Sequence, residues 1–190
     1  MTRLRVASLN LSGVERAGMF AKFLRRCVGM VEKDGVDVFL CQEHNLHPSR
    51  ESEIKRFAEL KNLALIIAFG ARGEDHVHWG GTLMLINLKT VDWPELNDER
   101  EGRIVHREPG AVVAKIGWHG RELTLGSVYA PVQPTPRLAF FQGMRKWVTE
   151  DMYLGGDWNC VPDVTLDVQS SDPLRYANRG GALLEEVTAD

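Results

Sequence analysis

Between Leu4 and Phe69 the sequence alternates strand, helix, strand, helix, strand, and this order excludes an all-α or an all-β fold. Leu4 to Leu11 reads as a strand closed by Ser12-Gly13. From about Glu15 to Lys33, Phe20, Phe23, Leu24, Cys27, Val28 and Val31 recur at helical spacing, and Asp34-Gly35 stops the pattern. Val36 to Cys41 is an apolar run of strand length that ends in polar Gln42-Glu43. A second helix is expected after Pro48-Ser49, to about Asn62, and a third strand over Ala64 to Phe69.

The middle of the chain changes character. Gly81–Leu88, Arg103–Arg107, Ala111–Trp118 and Glu122–Tyr129 are successive strand candidates, the last three separated by Pro109-Gly110 and His119-Gly120. A third helix is predicted to open at Thr135-Pro136, cap then proline, and to run through Phe140, Met144, Trp147 and Val148. Met152–Gly155 is a further strand, followed by Gly156-Asp157-Trp158-Asn159, and Ala182 to Val187 reads as the start of a helix. With no repeat and no linker, residues 1–190 read as a single domain.

Composition narrows the function classes. At 44% hydrophobic and 26% charged residues, the chain is too apolar for wholesale disorder. No apolar run approaches the roughly 20 residues of a membrane span, so a membrane partner is not expected. Three scattered cysteines, Cys27, Cys41 and Cys160, make no disulfide framework and point to a reducing intracellular compartment, the nucleus included. The net charge of −3 is uneven: residues 151–190 hold eight acidic against two basic residues, and the rest of the chain is net +3. No broad basic surface announces nucleic acid, but a local groove with a bound cation can supply that attraction.

Short polar groups stand where the apolar strands run out: Asn10, Gln42-Glu43, Tyr129, and Asp157 with Asn159. Rigid strands fix the position of such residues, while the loops beyond leave room for a substrate. Singly, each is an ordinary turn or solvated residue; their succession is the signal. Cys41-x-x-His44-x-x-His47 could be taken for zinc, but it offers three ligands where structural sites take four. The plainer reading puts Cys41 in a strand and both histidines in a surface loop. His76 and His78 read as loop residues, His106 and His119 as strand and turn, and Trp79, Trp118 and Trp158 as packing residues. Gly80-Gly81 lacks the strand-to-helix context of a phosphate loop and reads as a close chain approach at a strand start.

Taken in order, Ser8-Leu9-Asn10-Leu11-Ser12-Gly13, Val38-Phe39-Leu40-Cys41-Gln42-Glu43, Gly80-Gly81-Thr82-Leu83-Met84-Leu85, Gly102-Arg103-Ile104-Val105, Val128-Tyr129-Ala130-Pro131 and Gly156-Asp157-Trp158-Asn159 resemble the serial motifs of the endonuclease/exonuclease/phosphatase superfamily. The stretch Leu154 to Pro162, with Leu166-Asp167 and Ser170-Ser171 behind it, is most similar to the abasic-endonuclease-like domains of non-long-terminal-repeat retrotransposons. The resemblance implies a four-layer α/β/β/α sandwich of two mixed sheets, with the site where strand ends of both sheets converge. It implies Mg²⁺-dependent hydrolysis of a phosphodiester (Mn²⁺ as substitute), by an endonuclease acting on DNA rather than RNA. Within it, Glu43 holds the metal, Asp157 activates water, Asn159 and Tyr129 contact the phosphoryl group, and Asn10 braces its neighbours.

Departures from the family pattern accompany the matches. Ser12 stands where Asp or Asn is common, Val132 and Gln133 follow Tyr-x-Pro where Asn is common, and Val168 stands where retrotransposon relatives tend to have Arg. The family pattern closes with a Ser-Asp-His element, and the sequence ends at Asp190 without one. The expectation is therefore of a domain truncated at its C-terminus, with an incomplete second sheet and slow or no cleavage alone. A polymerase-like region would follow in the native polypeptide. The alternatives are a catalytically incomplete fragment with a binding role or none, and a phosphatase of the same superfamily.

Overall fold

Side chains on successive strand residues point to opposite faces, and that alternation divides this protein into layers. The computed structural model describes residues 3–14, 18–72, 78–94, 97–160 and 184. The first sheet is built from β1 (Val6–Asn10), β2 (Val38–Gln42), β3 (Leu63–Ala68) and β6 (Thr82–Asn87), in the order β1-β2-β6-β3. The second contains β7 (Ile104–Glu108), β8 (Ala111–Trp118), β9 (Arg121–Tyr129) and β10 (Met152–Asp157), in the order β10-β9-β8-β7. Each sheet is mixed: β1 runs parallel to β2 and β10 parallel to β9, whereas the other pairs are antiparallel.

Odd-numbered residues of β2, β3 and β6 face the helices α1 (Met19–Asp34) and α2 (Glu51–Glu59). Phe20, Phe23, Leu24 and Cys27 of α1 and Ile54 and Ala58 of α2 pack there with Phe39, Cys41, Leu65, Ile67, Leu83 and Leu85. Even-numbered residues of the same strands face the second sheet: Val38, Leu40, Ile66, Met84 and Ile86 meet Val112, Ala114, Ile116 and Leu125. A third cluster joins Phe141 and Met144 of α4 (Pro134–Met144) to Ala130, Leu154 and Trp158 on the outer side of the second sheet. Helices, sheet, sheet and helix make the four layers that the sequence resemblance implies.

The ends of the elements follow local chemistry. Gly35, at φ 65°, closes α1 with its N–H on the Val31 carbonyl. His119 and Gly120 both take positive φ (48° and 73°), as a two-residue hairpin between β8 and β9 demands. The expected second helix is split, with one 3₁₀ turn over Pro48–Arg50 leading into α2. The third helix starts earlier and ends sooner than expected: Pro134 opens it after Gln133, so Thr135 lies inside the helix and not at its cap. Three elements were not anticipated: α3 (Asn97–Arg103) and the short pair β4 (Ala71–Arg72) with β5 (His78–Trp79), which places His78 in a strand. The tail beyond Cys160, with the predicted helix at Ala182 to Val187, lies outside the described residues except for a buried, helical Leu184.

Candidate active site

Parallel pairing brings the carboxyl ends of paired strands to the same edge. In the first sheet Asn10 stands opposite Gln42, with Glu43 next; in the second, Tyr129 stands opposite Asp157. Because the two sheets face each other, the two pairs meet. Asn10 Nδ2 donates to Asp157 Oδ2 at 2.9 Å, a bond between residues 147 positions apart in sequence. Asn10 Oδ1 accepts the Ser12 N–H at 2.9 Å, so both ends of the Asn10 carboxamide are held. Asp157 Oδ1 accepts the Asn159 N–H at 3.0 Å, and Asn159 Nδ2 donates to the Ala130 carbonyl at 2.8 Å. That last bond ties the loop after β10 to the loop after β9.

Glu43 is placed by its backbone. Its N–H donates to the Gly81 carbonyl and its own carbonyl accepts the Gly13 N–H, both at 2.8 Å. These bonds hold it at φ 57°, in a left-handed region that costs an ordinary residue about 1–3 kcal/mol and occurs preferentially at functional sites. Of the six non-glycine residues with positive φ among those described, Ser12, Glu43, Asn45 and Asn159 gather at these strand ends. Tyr129 closes the group. Burial first, and then the Glu43 and Asp157 carboxylates, push its phenol above the ordinary range, so both carboxylates lie within electrostatic reach of one hydroxyl. The structure thus brings Asn10, Glu43, Tyr129, Asp157 and Asn159 to one edge of the sandwich.

Sequence reasoning missed the support beneath this group. Asn45, at φ 52°, accepts the Gly80 N–H on its Oδ1 and donates its own N–H to the Gly80 carbonyl, at 2.6 and 3.0 Å. Gly80, at φ 79°, lies against the Tyr129 ring: a Cβ there would meet Tyr129 Cε1 at 2.9 Å. Gly81 is equally confined, its absent Cβ facing His44 Nε2 at 2.5 Å, which is the close chain approach expected of this pair. The available signal was an Asn just past a strand end followed, far away, by Gly-Gly at a strand start.

The zinc trio does not converge. Cys41 is buried toward the helices, and His44 uses both ring nitrogens, on the Ala68 carbonyl and the Leu46 N–H, each at 3.0 Å. His47 Nδ1 caps the 3₁₀ turn through Ser49. His106 stacks on Trp147 with ring centroids 4.5 Å apart, and His119 sits in the hairpin against Trp118. His76 and the side chain of His78 lie outside the described residues. Trp158, between the two polar residues, packs against Phe141 as expected. Among the described residues, no three His, Cys, Asp or Glu side chains form a closed metal-binding group.

No family model and no curated protein sequence matches the chain. Solved structures do. An AP endonuclease from Archaeoglobus fulgidus superposes with a TM-score of 0.63 at 14% identity, covering 97% of this chain and 70% of that one. The endonuclease domain of TRAS1, a telomere-specific non-LTR retrotransposon, gives 0.53 at 15% identity, over 95% of this chain and 72% of that domain. An endonuclease/exonuclease/phosphatase family protein from Bacteroides thetaiotaomicron gives 0.54 at 16% identity, over 91% and 68%. Two facing mixed sheets with outer helices, superposing on these proteins over almost all of its length, give this chain the fold of the endonuclease/exonuclease/phosphatase superfamily.

Proposed function

We propose that this protein hydrolyses phosphodiester bonds in nucleic acid, as a DNA endonuclease that uses Mg²⁺. The observation that carries the reading is the Asn10–Asp157 hydrogen bond, which joins the strand ends of two sheets beside Tyr129 and Glu43. The fold it shares with an AP endonuclease and with a retrotransposon endonuclease domain supports the same chemistry.

The residues divide the work. Each oxygen of Asp157 receives one hydrogen bond, from Asn10 and from the Asn159 backbone, which fixes the carboxylate plane and leaves lone pairs on both oxygens. A water held there is positioned for attack on phosphorus and gives its proton to Asp157. The Asn159 amide spends one hydrogen on Ala130 and keeps the second for a phosphoryl oxygen. Tyr129, its phenol firmly protonated, donates to the same charge as it develops.

The donor set fits a hard cation. Glu43, half-buried at the end of β2, offers carboxylate oxygen, and Mg²⁺ needs only one or two such ligands alongside water and substrate phosphate. When bound, the metal would neutralise phosphate charge and stabilise the leaving oxyanion; Mn²⁺ meets the same ligands.

Conversion of supercoiled plasmid to the nicked form, in Mg²⁺ or Mn²⁺ and in EDTA, tests the proposal. Nicking should require the metal, exceed cleavage of an RNA of matched sequence, and fall about 10²–10⁴-fold in Asp157→Ala. Cleavage that survives Asp157→Ala, or nicking by the wild type that continues unchanged in EDTA, would refute it.

A further inference from the structure

The interlayer core changes character just beneath the candidate site. Along β2 the inward residues Val38 and Leu40 meet apolar partners, but the next is Gln42, 1% exposed. Along β9 the inward residue after Leu125 is Ser127, which is fully buried. Gln42 Nε2 donates to Ser127 Oγ at 3.0 Å and, more weakly, to Ser8 Oγ at 3.4 Å. Ser127 Oγ in turn donates to the Cys41 carbonyl at 2.9 Å. A side chain of the first sheet, a side chain of the second and the backbone of the first are thereby linked in series.

Every member of this link lies one or two residues from a member of the site. Ser8 precedes Asn10 by two, Gln42 immediately precedes Glu43, and Ser127 precedes Tyr129 by two. Ser127 also stands opposite Gly155, two residues before Asp157. The site takes Asn10 and Glu43 from one sheet and Tyr129 and Asp157 from the other, so its geometry depends on how the sheets are seated. Apolar contacts between sheets are non-directional and tolerate sliding. A buried hydrogen bond has a preferred length and angle and does not. An apolar pair of similar shape would be about as stable as this polar one, so stability alone does not account for it.

We propose that Gln42 and Ser127 are positioning residues: their bond seats one sheet on the other so that the two halves of the site face each other. The kinetic part of this proposal rests on the hydrolytic reading above; the structural part does not.

Gln42→Met is the decisive variant. It is close in shape to glutamine and leaves Ser127 bonded to the Cys41 carbonyl, so no buried donor is stranded. The variant should keep a melting temperature close to the wild type while kcat falls about 10–100-fold at nearly unchanged KM, the scale of a misplacement of about 1 Å. In protein labelled with 3-fluorotyrosine, the ¹⁹F signal of Tyr129, assigned by its loss in Tyr129→Phe, should move. Thr82→Val is the control. Thr82 stands opposite Gln42 in the β2–β6 register and is equally buried, and its hydroxyl has no hydrogen-bond partner among the described residues. It should leave kcat and the fluorine signal unchanged. If Gln42→Met does not fold, the double variant Gln42→Leu/Ser127→Ala, apolar on both sides, is held to the same expectations. Wild-type kcat and an unmoved Tyr129 signal in the folded variant would overturn the proposal. Cleavage that persists in EDTA or survives Asp157→Ala would sink the hydrolytic reading, and the fluorine signal would still decide the seating of the sheets.

Discussion

Replacing Gly80 with alanine should damage the site by a route that can be separated from ordinary backbone strain. Gly80 has φ 79°, and any L-residue there pays about 1–2 kcal/mol for the left-handed conformation. Its new Cβ would also meet Tyr129 Cε1 at 2.9 Å and Cδ1 at 3.3 Å, where ordinary contact begins at 3.4 Å. Either the ring or the Gly80 backbone must yield about half an ångström, and overpacking of this kind typically costs about 1–3 kcal/mol more. Asn45 clamps Gly80 through two hydrogen bonds, so the ring is the part that moves. Gly120 supplies the matched control: its φ is 73° and nothing lies within 4 Å of its missing Cβ. For a chain of this size each kcal/mol lowers the melting temperature by about 2–4 °C. Thermal unfolding should therefore show Gly80→Ala losing roughly 2–12 °C more than Gly120→Ala. Only Gly80→Ala should also lower kcat for plasmid nicking, by about 10-fold, if Tyr129 contacts the phosphoryl oxygen as proposed. Equal melting losses and equal rates in the two variants would show that the Tyr129 ring does not rest on Gly80.

Further expectations follow from single residues. Glu43→Gln should remove Mg²⁺ binding measured by titration calorimetry, and equal affinity in the two proteins would exclude Glu43 as a ligand. Asn10→Ala breaks the bond that bridges the sheets at an exposed position, so chemical denaturation should register a loss of about 1 kcal/mol or less while nicking slows about 10-fold or more. His44 is held neutral, its ring pushed down to about 4 by burial against an ordinary value of 6.5, with the Ala68 carbonyl opposing the shift. Its folded value lies below its unfolded one, so the stability it carries is complete above about pH 6.5 and drains away as pH falls toward 4. The loss should be about 2 kcal/mol between pH 7 and pH 5, read by urea unfolding in EDTA and absent in a folded His44→Gln.

The order of strands and helices was legible because strand periodicity and helix periodicity differ, whereas the four layers were expected from the family resemblance. Phe39 and Cys41 alternate with Val38 and Leu40 along β2, and such a run, buried on both faces, belongs between helices and a second sheet. Gly35 and the His119-Gly120 pair could be placed because their backbone conformations restrict the residues that can occupy them. The β4–β5 pair has two residues per strand, too few for an alternation to show. Helix α3, Asn-Asp-Glu-Arg-Glu-Gly-Arg, has no apolar face to announce it. The early start of α4 came from reading Thr135 as a cap when the preceding Pro134 already fixes a helical φ.

The five candidate residues were visible for a reason that differs from the one that brings them together. Each is a polar residue at the end of an apolar strand, which is a local property and can be read one segment at a time. Their convergence is a property of pairing. Parallel register puts Asn10 beside Gln42 and Tyr129 beside Asp157, and the packing of one sheet on the other brings the two pairs within 2.9 Å. The residues that enforce this convergence carry no local mark. Ser127 is one hydroxyl in a strand of otherwise ordinary composition, Gln42 reads as the polar end of β2, and Asn45 as one more loop residue. Only the partner, 85 positions away for Gln42 and 35 for Asn45, distinguishes them from solvated neighbours. The chemistry of such a site is thus written at the strand ends, while its precision is written in buried or backbone-directed bonds a residue or two behind them. Substitutions of the first kind should abolish function at little cost in stability, and those of the second should detune it in a protein that still folds.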